Sequence, residues 1–303
     1  MWRKQTLHPV TARALYRFDT CSNGLTYITS NNGDFLAIGS DGSFLADSHE
    51  DELADTTAMA CDPPGRLLAV TKGWLKIFDI DPHAKLTLSA RHWIAGGPGR
   101  LFASPDGDVY VVGLAVQDGR HVFLRRFRLS DGEFLGVPDV RMPFSVQDGL
   151  NSFAVNGSMA WNAGKSEAVY VAANPALVWR LRGDTLAGVS EPDVVFENAE
   201  WSQGRAPMGG WQNHDAIRTI AALPDGSFVA QVFRGKGNPP PAGESFAYLF
   251  VLDEDYASTS AKISLPAEPF LGMLSGADSD GNLYFVDLKV DSVAKVNKVR
   301  LPR

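Results

Sequence analysis

The chain of 303 residues is 45% hydrophobic and 21% charged, a balance that fits a folded globular protein and excludes a disordered one. Its formal net charge of −7 lacks the basic excess of a nucleic-acid binder, so no nucleic-acid partner is expected. No run approaches the ~20 apolar residues of a membrane helix, so no membrane partner is expected either. The basic start of the chain has no apolar stretch behind it. The default location is therefore cytoplasmic, with export the alternative where a signal segment has been removed.

In chain order, residues 12–18 mix polar and apolar positions and read as a strand that closes the last repeat by joining residues 293–299. Cys21 and Cys61 are too few for a disulfide framework. Each reads as a small buried hydrophobe beside a strand, with a single disulfide between them the alternative. A phrase then recurs six times, a turn around glycine followed by β-branched or aromatic residues. Asp-Gly or Asn-Gly before such a run signals a hairpin, because glycine tolerates the positive φ of a tight turn. The marker glycines are Gly33, Gly65, Gly107, Gly164, Gly226 and Gly281, separated by 32, 42, 57, 62 and 55 residues (successive subtractions). In the first copy, Asp41-Gly42 competes with Gly33 as the main turn.

Unequal spacing excludes a short-period solenoid and suits propeller blades of about 40–50 residues with variable loops. Further strands read over residues 74–79, 122–129, 176–181, 247–253 and 292–298, and residues 50–59 carry at most a short helical turn. Arg120, His121, Arg125, Arg126 and Arg128 are interleaved with apolar residues, which reads as a strand with one solvated face rather than a basic patch. Each copy is an antiparallel meander that cannot bury both of its faces alone. The expected fold is all-β: one domain over residues 1–303, a six-bladed β-propeller with the N-terminal strand closing the last blade. Seven blades is the alternative.

Residues 276–287, from Gly276-Ala277-Asp278 to Val286-Asp287, resemble an NHL-type propeller repeat, and residues 97–111 are similar. Residues 156–172, beginning Asn156-Gly157-Ser158, resemble the corresponding blade of the gluconolactonase (SMP-30) and strictosidine synthase-like group. The resemblance runs through most of the chain as repeat rhythm. It implies the fold more than an activity, since that superfamily holds lactonases, lyases, receptors and scaffolds. Its lactonase branch implies a divalent cation such as Ca²⁺ held by a Glu, an Asn and an Asp from different blades. Asn156 matches the Asn. The first-blade Glu has no counterpart near residues 23–27, and the Asp position falls at Arg218, with Asp215 three residues upstream.

The longest departure from the repeat covers residues 190–218, and long loops in compact folds often carry function. It offers Trp201 and Trp211 for stacking, Gln212, Asn213 and Arg218 for polar contacts, and His214 beside Asp215 as a base–acid pair. Glu200 and Asn213 are further oxygen donors for a cation that Asn156 and Asp215 would hold. A second insertion, residues 234–244, contains Gly-Lys-Gly without Walker spacing and a proline run, and reads as a long hairpin loop. The reading is a non-catalytic propeller that binds a small-molecule ligand or protein partner at its channel face, with no cofactor. The alternative is a metal-dependent lactonase-like hydrolase, or a metal-free lyase using His214.

Overall fold

The computed structural model describes residues 3–6, 16–62, 65–96, 99–142, 155–192, 214–235, 240–257, 262–289 and 292–301. Six four-stranded antiparallel sheets make it a six-bladed β-propeller. Strand β1 (Arg3–Thr6) precedes the first blade, which holds β2 (Tyr16–Thr20), β3 (Thr26–Ser30), β4 (Asp34–Ile38) and β5 (Phe44–His49). The second blade holds β6 (Thr56–Asp62), β7 (Arg66–Thr71), β8 (Trp74–Ile80) and β9 (Leu86–Trp93). The third holds β10 (Arg100–Ala103), β11 (Asp108–Gln117), β12 (Arg120–Arg128) and β13 (Phe134–Gly136).

The fourth blade holds β14 (Ser158–Asn162), β15 (Glu167–Val171), β16 (Val178–Arg182) and β17 (Thr185–Ser190). The fifth holds β18 (Ala216–Ala222), β19 (Phe228–Phe233), β20 (Glu244–Leu252) and β21 (Ile263–Pro266). The last comprises β22 (Met273–Ala277), β23 (Asn282–Lys289), β24 (Ser292–Arg300) and, as its fourth strand, β1. Among the described residues no helix is long and apolar enough to cross a membrane. In the 50–59 segment Asp51–Leu53 form a 3₁₀ turn, and β6 begins at Thr56.

The chain divides into two compact units. One comprises Met1–Tyr110, Phe127–Phe134 and Leu271–Arg303; the other comprises Val111–Arg126 and Leu135–Phe270. In the first unit, Tyr27 and Phe35 of blade one pack with Leu67, Ala69 and Phe78 of blade two. In the second, Val169, Val171 and Val178 of blade four pack with Ile220, Phe228 and Phe250 of blade five. First strands adjoin within each unit: β2 lies beside β6 and β22, and β14 beside β18.

The last blade is closed from the N-terminus, but by a different segment than residues 12–18. Arg3 to Thr6 pair with Lys298 to Lys295. Tyr16, Arg17 and Phe18 instead open blade one, with Tyr16 opposite Ser30. The turn at Gly24 gives that strand a partner only a few residues away, and a local hairpin closes at lower entropic cost than a distant pairing.

The same turn corrects the repeat count of the first blade. In blades two to six the marker glycine joins first strand to second; in blade one that place belongs to Gly24, while Gly33 and Gly42 serve the next two turns. Counted from Gly24, the first two intervals become 41 and 42 residues (65 − 24 and 107 − 65). The turn has the same hydrogen-bond pattern in blades one, three, five and six. Gly24 N–H donates to the Cys21 carbonyl at 2.8 Å, and Cys21 N–H donates to that of Leu25 at 2.8 Å. Gly107 with Ser104, Gly226 with Leu223 and Gly281 with Asp278 repeat it.

Two further expectations are corrected. Cys21 and Cys61 form a disulfide joining blades one and two, Cα to Cα 5.3 Å, rather than remaining free. The cause is the packing of β2 beside β6, which brings the end of one strand onto the other. Arg125 is buried, 2% exposed, instead of solvated. It alternates with Phe123 and Phe127, so the period of two carries it inward with that apolar face, and burial lowers its pKa.

The disulfide spans 40 residues, for which the chain-entropy relation gives about 4 kcal/mol of stabilisation. Replacing both Cys21 and Cys61 by Ser is expected to lower urea-unfolding stability by roughly that amount. Alkylation of the denatured, unreduced chain should find no free thiol.

Beside the disulfide, Asp19 Oδ2 accepts the Cys61 N–H at 2.7 Å. Asp19 is half-buried as a residue, yet its carboxyl is desolvated enough to be pushed up to about 7, against the pull of backbone N–H donors and Arg100. An unfolded Asp titrates at ~3.9, so the folded chain holds this proton more tightly. The resulting stability is complete below about pH 4 and is lost as pH rises through about 7. Asp19→Asn is expected to remove that loss. Urea midpoints at pH 4.5 and 7.5 should converge in the variant and diverge in the parent chain.

Candidate functional site

Asp215 stands immediately before β18, where the long insertion returns to the sheet. It is 3% exposed. Its Oδ1 accepts the Gly235 N–H at 3.2 Å and its Oδ2 accepts the Tyr248 hydroxyl at 2.7 Å. The Asn174 side-chain amide donates to its backbone carbonyl at 2.8 Å. One carboxylate thus ties the start of β18 to the end of β19 and to β20. Burial, reinforced by the adjacent carboxylate, raises the Tyr248 pKa far above the ordinary tyrosine value and keeps the hydroxyl a donor.

The ring of Tyr248 also carries cations. Arg234 lies 5.1 Å from its centroid and Lys262 3.8 Å. Burial, then the nearby Arg234, lowers the Lys262 pKa. Arg234 Nη2 donates to Glu244 Oε2 at 2.9 Å, an ion pair across the neck of the second insertion.

These strand ends surround a cavity of about 830 Å³. Its polar wall comes from His214, Arg218, Arg234 and Glu244, and its apolar wall is led by Phe233, Phe246 and Phe270. Arg218 reaches it through a β-bulge. Ile217 pairs with Val232 and Thr219 with Gln231, so the register slips at the residue between them. Bulges re-aim side chains. The first strands of blades two and six also slip near their starts, at Thr57 and Ser275, where the side chain is a small hydroxyl. The guanidinium of Arg218 lies 5.6 Å from the Phe233 ring centroid, and burial lowers its pKa.

Of the residues singled out from the sequence, His214, Asp215 and Arg218 come together at this end of blade five. Trp201, Trp211, Gln212, Asn213 and Glu200 lie outside the described residues. Asn156 enters β14 half-buried, its Oδ1 without a hydrogen-bond partner among the described residues. For the dication implied by the lactonase resemblance, both oxygens of Asp215 are engaged by Gly235 and Tyr248. Among the described residues, no three His, Cys, Asp or Glu are grouped to hold a metal. Glu200 and Asn213, the other two expected donors, lie outside the described residues.

Sequence reasoning missed Phe233, Phe246, Phe270 and the facing pair Arg234–Glu244. The charges at the two ends of the 234–244 insertion were the available signal: a hairpin brings its ends together.

No family profile matches the sequence, and no curated protein is similar to it. Solved structures share the fold. A protein of unknown function from Bacteroides caccae aligns at 11% identity and TM-score 0.56, over 89% of this chain and 88% of its own. A DUF4221 family member from Bacteroides vulgatus aligns at 10% identity and TM-score 0.55, over 98% and 99%. Virginiamycin B lyase from Staphylococcus aureus aligns at 12% identity and TM-score 0.53, over 99% of each chain. At such identities the likeness establishes the propeller and nothing about activity.

Tyr248→Phe deletes a donor to a buried carboxylate while preserving the ring. It is expected to cost about 1–3 kcal/mol, measured as a shift of the urea midpoint.

Proposed function

We propose that this chain binds a small organic molecule, without catalysis, in the cavity at the end of blade five. The observation that carries the reading is the cavity itself. Its volume of about 830 Å³ lies within the ~300–1,000 Å³ of small-molecule sites, and aromatic walls with a few convergent polar groups are their usual lining. The same residues argue against an acid–base pair. Asp215 is committed to the backbone of Gly235 and to Tyr248, and His214 Nδ1 has no hydrogen-bond partner among the described residues to orient the ring. One observation favours the lyase reading: His214 faces the cavity in a chain that shares its fold with virginiamycin B lyase. The Cys21–Cys61 disulfide supports an oxidising compartment, hence the exported alternative.

A ¹⁹F NMR screen with fluorinated aromatic fragments tests the binding reading. Hits are expected on the parent chain. Ala267→Trp, which places a large side chain into the cavity wall, should weaken them at least tenfold with little change in melting temperature. Hits indifferent to Ala267→Trp would move the site elsewhere. Opening of a cyclic ester by elimination, giving an unsaturated product with no water added, that disappears in His214→Ala would replace binding by the lyase reading.

A further inference from the structure

We propose that blade two carries a binding site of its own, for a neutral glycan, in which Trp93 and Trp74 form the platform for a pyranose ring with equatorial hydroxyls. It belongs to the first of the two compact units and does not depend on the blade-five reading.

Strand register puts both rings on one face. Trp74 opens β8 and Trp93 ends β9; the two lie opposite each other, with Lys76 opposite Arg91 two residues further along. Residues two apart in a strand point to the same side, so these four side chains share a face. Leu75 and Ile77 take the other side and are buried. Trp93 is 58% exposed and Trp74 38%.

The rings are held in place by the chain itself. They meet edge to face, with centroids 5.2 Å apart and planes at 67°. Trp93 also lies on the turn between β7 and β8, where a Cβ at Gly73 would stand 2.8 Å from its Cη2 and Cζ3 atoms. Gly73 sits at φ 84°, so the turn both favours glycine and leaves room for the indole. The Arg91 guanidinium lies 5.6 Å from the Trp74 ring centroid. A cross-strand pair explains why the rings touch. It does not explain why more than half of Trp93 meets water, since exposed apolar area costs about 25 cal/mol per Å².

Area and charge choose the occupant. An indole can cover about 150–250 Å², so exposures of 58% and 38% together present roughly 200 Å². A stable protein interface takes about 800 Å² from each partner. Apolar small molecules seek concave sites that enclose most of their surface, whereas an exposed sheet face covers one side only. A pyranose with equatorial hydroxyls fits a one-sided site: its axial C–H groups make a flat apolar face for an indole, and its hydroxyls stay at the rim in water. The charges bordering the rings already face one another. Lys76 Nζ is 2.6 Å from Glu52 Oε2, and Lys72 Nζ, beside Gly73, is 3.1 Å from Asp55 Oδ2. Lys76, and after it Arg91, hold the Glu52 carboxyl below its usual range, so Arg91 belongs to the same cluster. Matched charges favour an uncharged ligand, and together they supply donors and acceptors for hydroxyls, which do both.

The test is calorimetry of the full chain with cellohexaose and with the same chain carboxylated at C6. Cellohexaose is expected to bind, with an affinity that is unchanged between about 20 and 500 mM NaCl. Trp93→Ala should weaken it about tenfold. That variant also loses a cross-strand contact, so a second measurement uses the unsubstituted chain: cellohexaose should slow the oxidation of Trp93 by N-bromosuccinimide, read by peptide mass spectrometry. Tighter binding of the carboxylated chain would overturn the neutral class. Cellohexaose affinity indifferent to Trp93→Ala, without protection of Trp93, would overturn the site. Self-association in sedimentation velocity that disappears in Trp93→Ala would give the face to a second copy of this chain instead. No binding of either glycan would overturn the proposal and leave the blade-five reading untouched.

Discussion

Strands β3 and β15 are buried at every one of their five positions, so at these strands neither face of the sheet meets water. Burial of apolar area is worth about 25 cal/mol per Å² only when something lies against it, and both faces need a partner. Sheet must therefore lie on sheet, as Val169 and Val178 of one blade lie with Phe228 and Phe250 of the next. This requirement leaves little room for polar atoms, and large side chains with polar ends need partners when buried. The chain meets the problem repeatedly with a tyrosine hydroxyl on a carboxylate. Tyr248 donates to Asp215, Tyr256 to Glu167 at 2.6 Å, and Tyr284 to Asp278 at 2.8 Å.

What was legible in the sequence was what repeats locally. A glycine turn and alternating residues act over a few positions, and they sufficed for the sheets and their number. Blade one is misnumbered because the run after Asn23-Gly24 is diluted by Thr26, Thr29 and Ser30, whereas Asn32-Gly33 leads into Phe35-Leu36-Ala37-Ile38. The disulfide was invisible for another reason: Cys21 and Cys61 meet only after two blades have packed. Arg125 was misplaced because charge was weighed above period, although its neighbours at two-residue spacing were phenylalanines.

The site was half legible. An insertion rich in polar and aromatic residues drew attention to His214, Asp215 and Arg218, and these do converge. Their roles were not readable from type. Asp215 looks like an acid in the sequence and acts as a fastening in the structure, because its oxygens face Gly235 N–H and Tyr248 rather than the cavity's middle. The phenylalanines that form the apolar wall belong to three separate places in the chain, the end of β19, the start of β20 and the segment that follows β21. Antiparallel pairing is what collects those ends at one side of a sheet.

The pairing of β1 with β24 has a consequence in time. Lys4 lies opposite Asn297, across nearly the whole chain. Loop-closure entropy rises only slowly with length, so the finished seam is not expensive to hold. Reaching it is slow, because non-local β pairing sets the pace of folding. On a ribosome, which releases a chain from its N-terminal side onward, β1 is made long before the three strands β22, β23 and β24 that complete its sheet. Over that interval the outer edge of β24's eventual partner is an open row of backbone donors and acceptors, the kind of surface that chaperones shield and neighbouring copies capture.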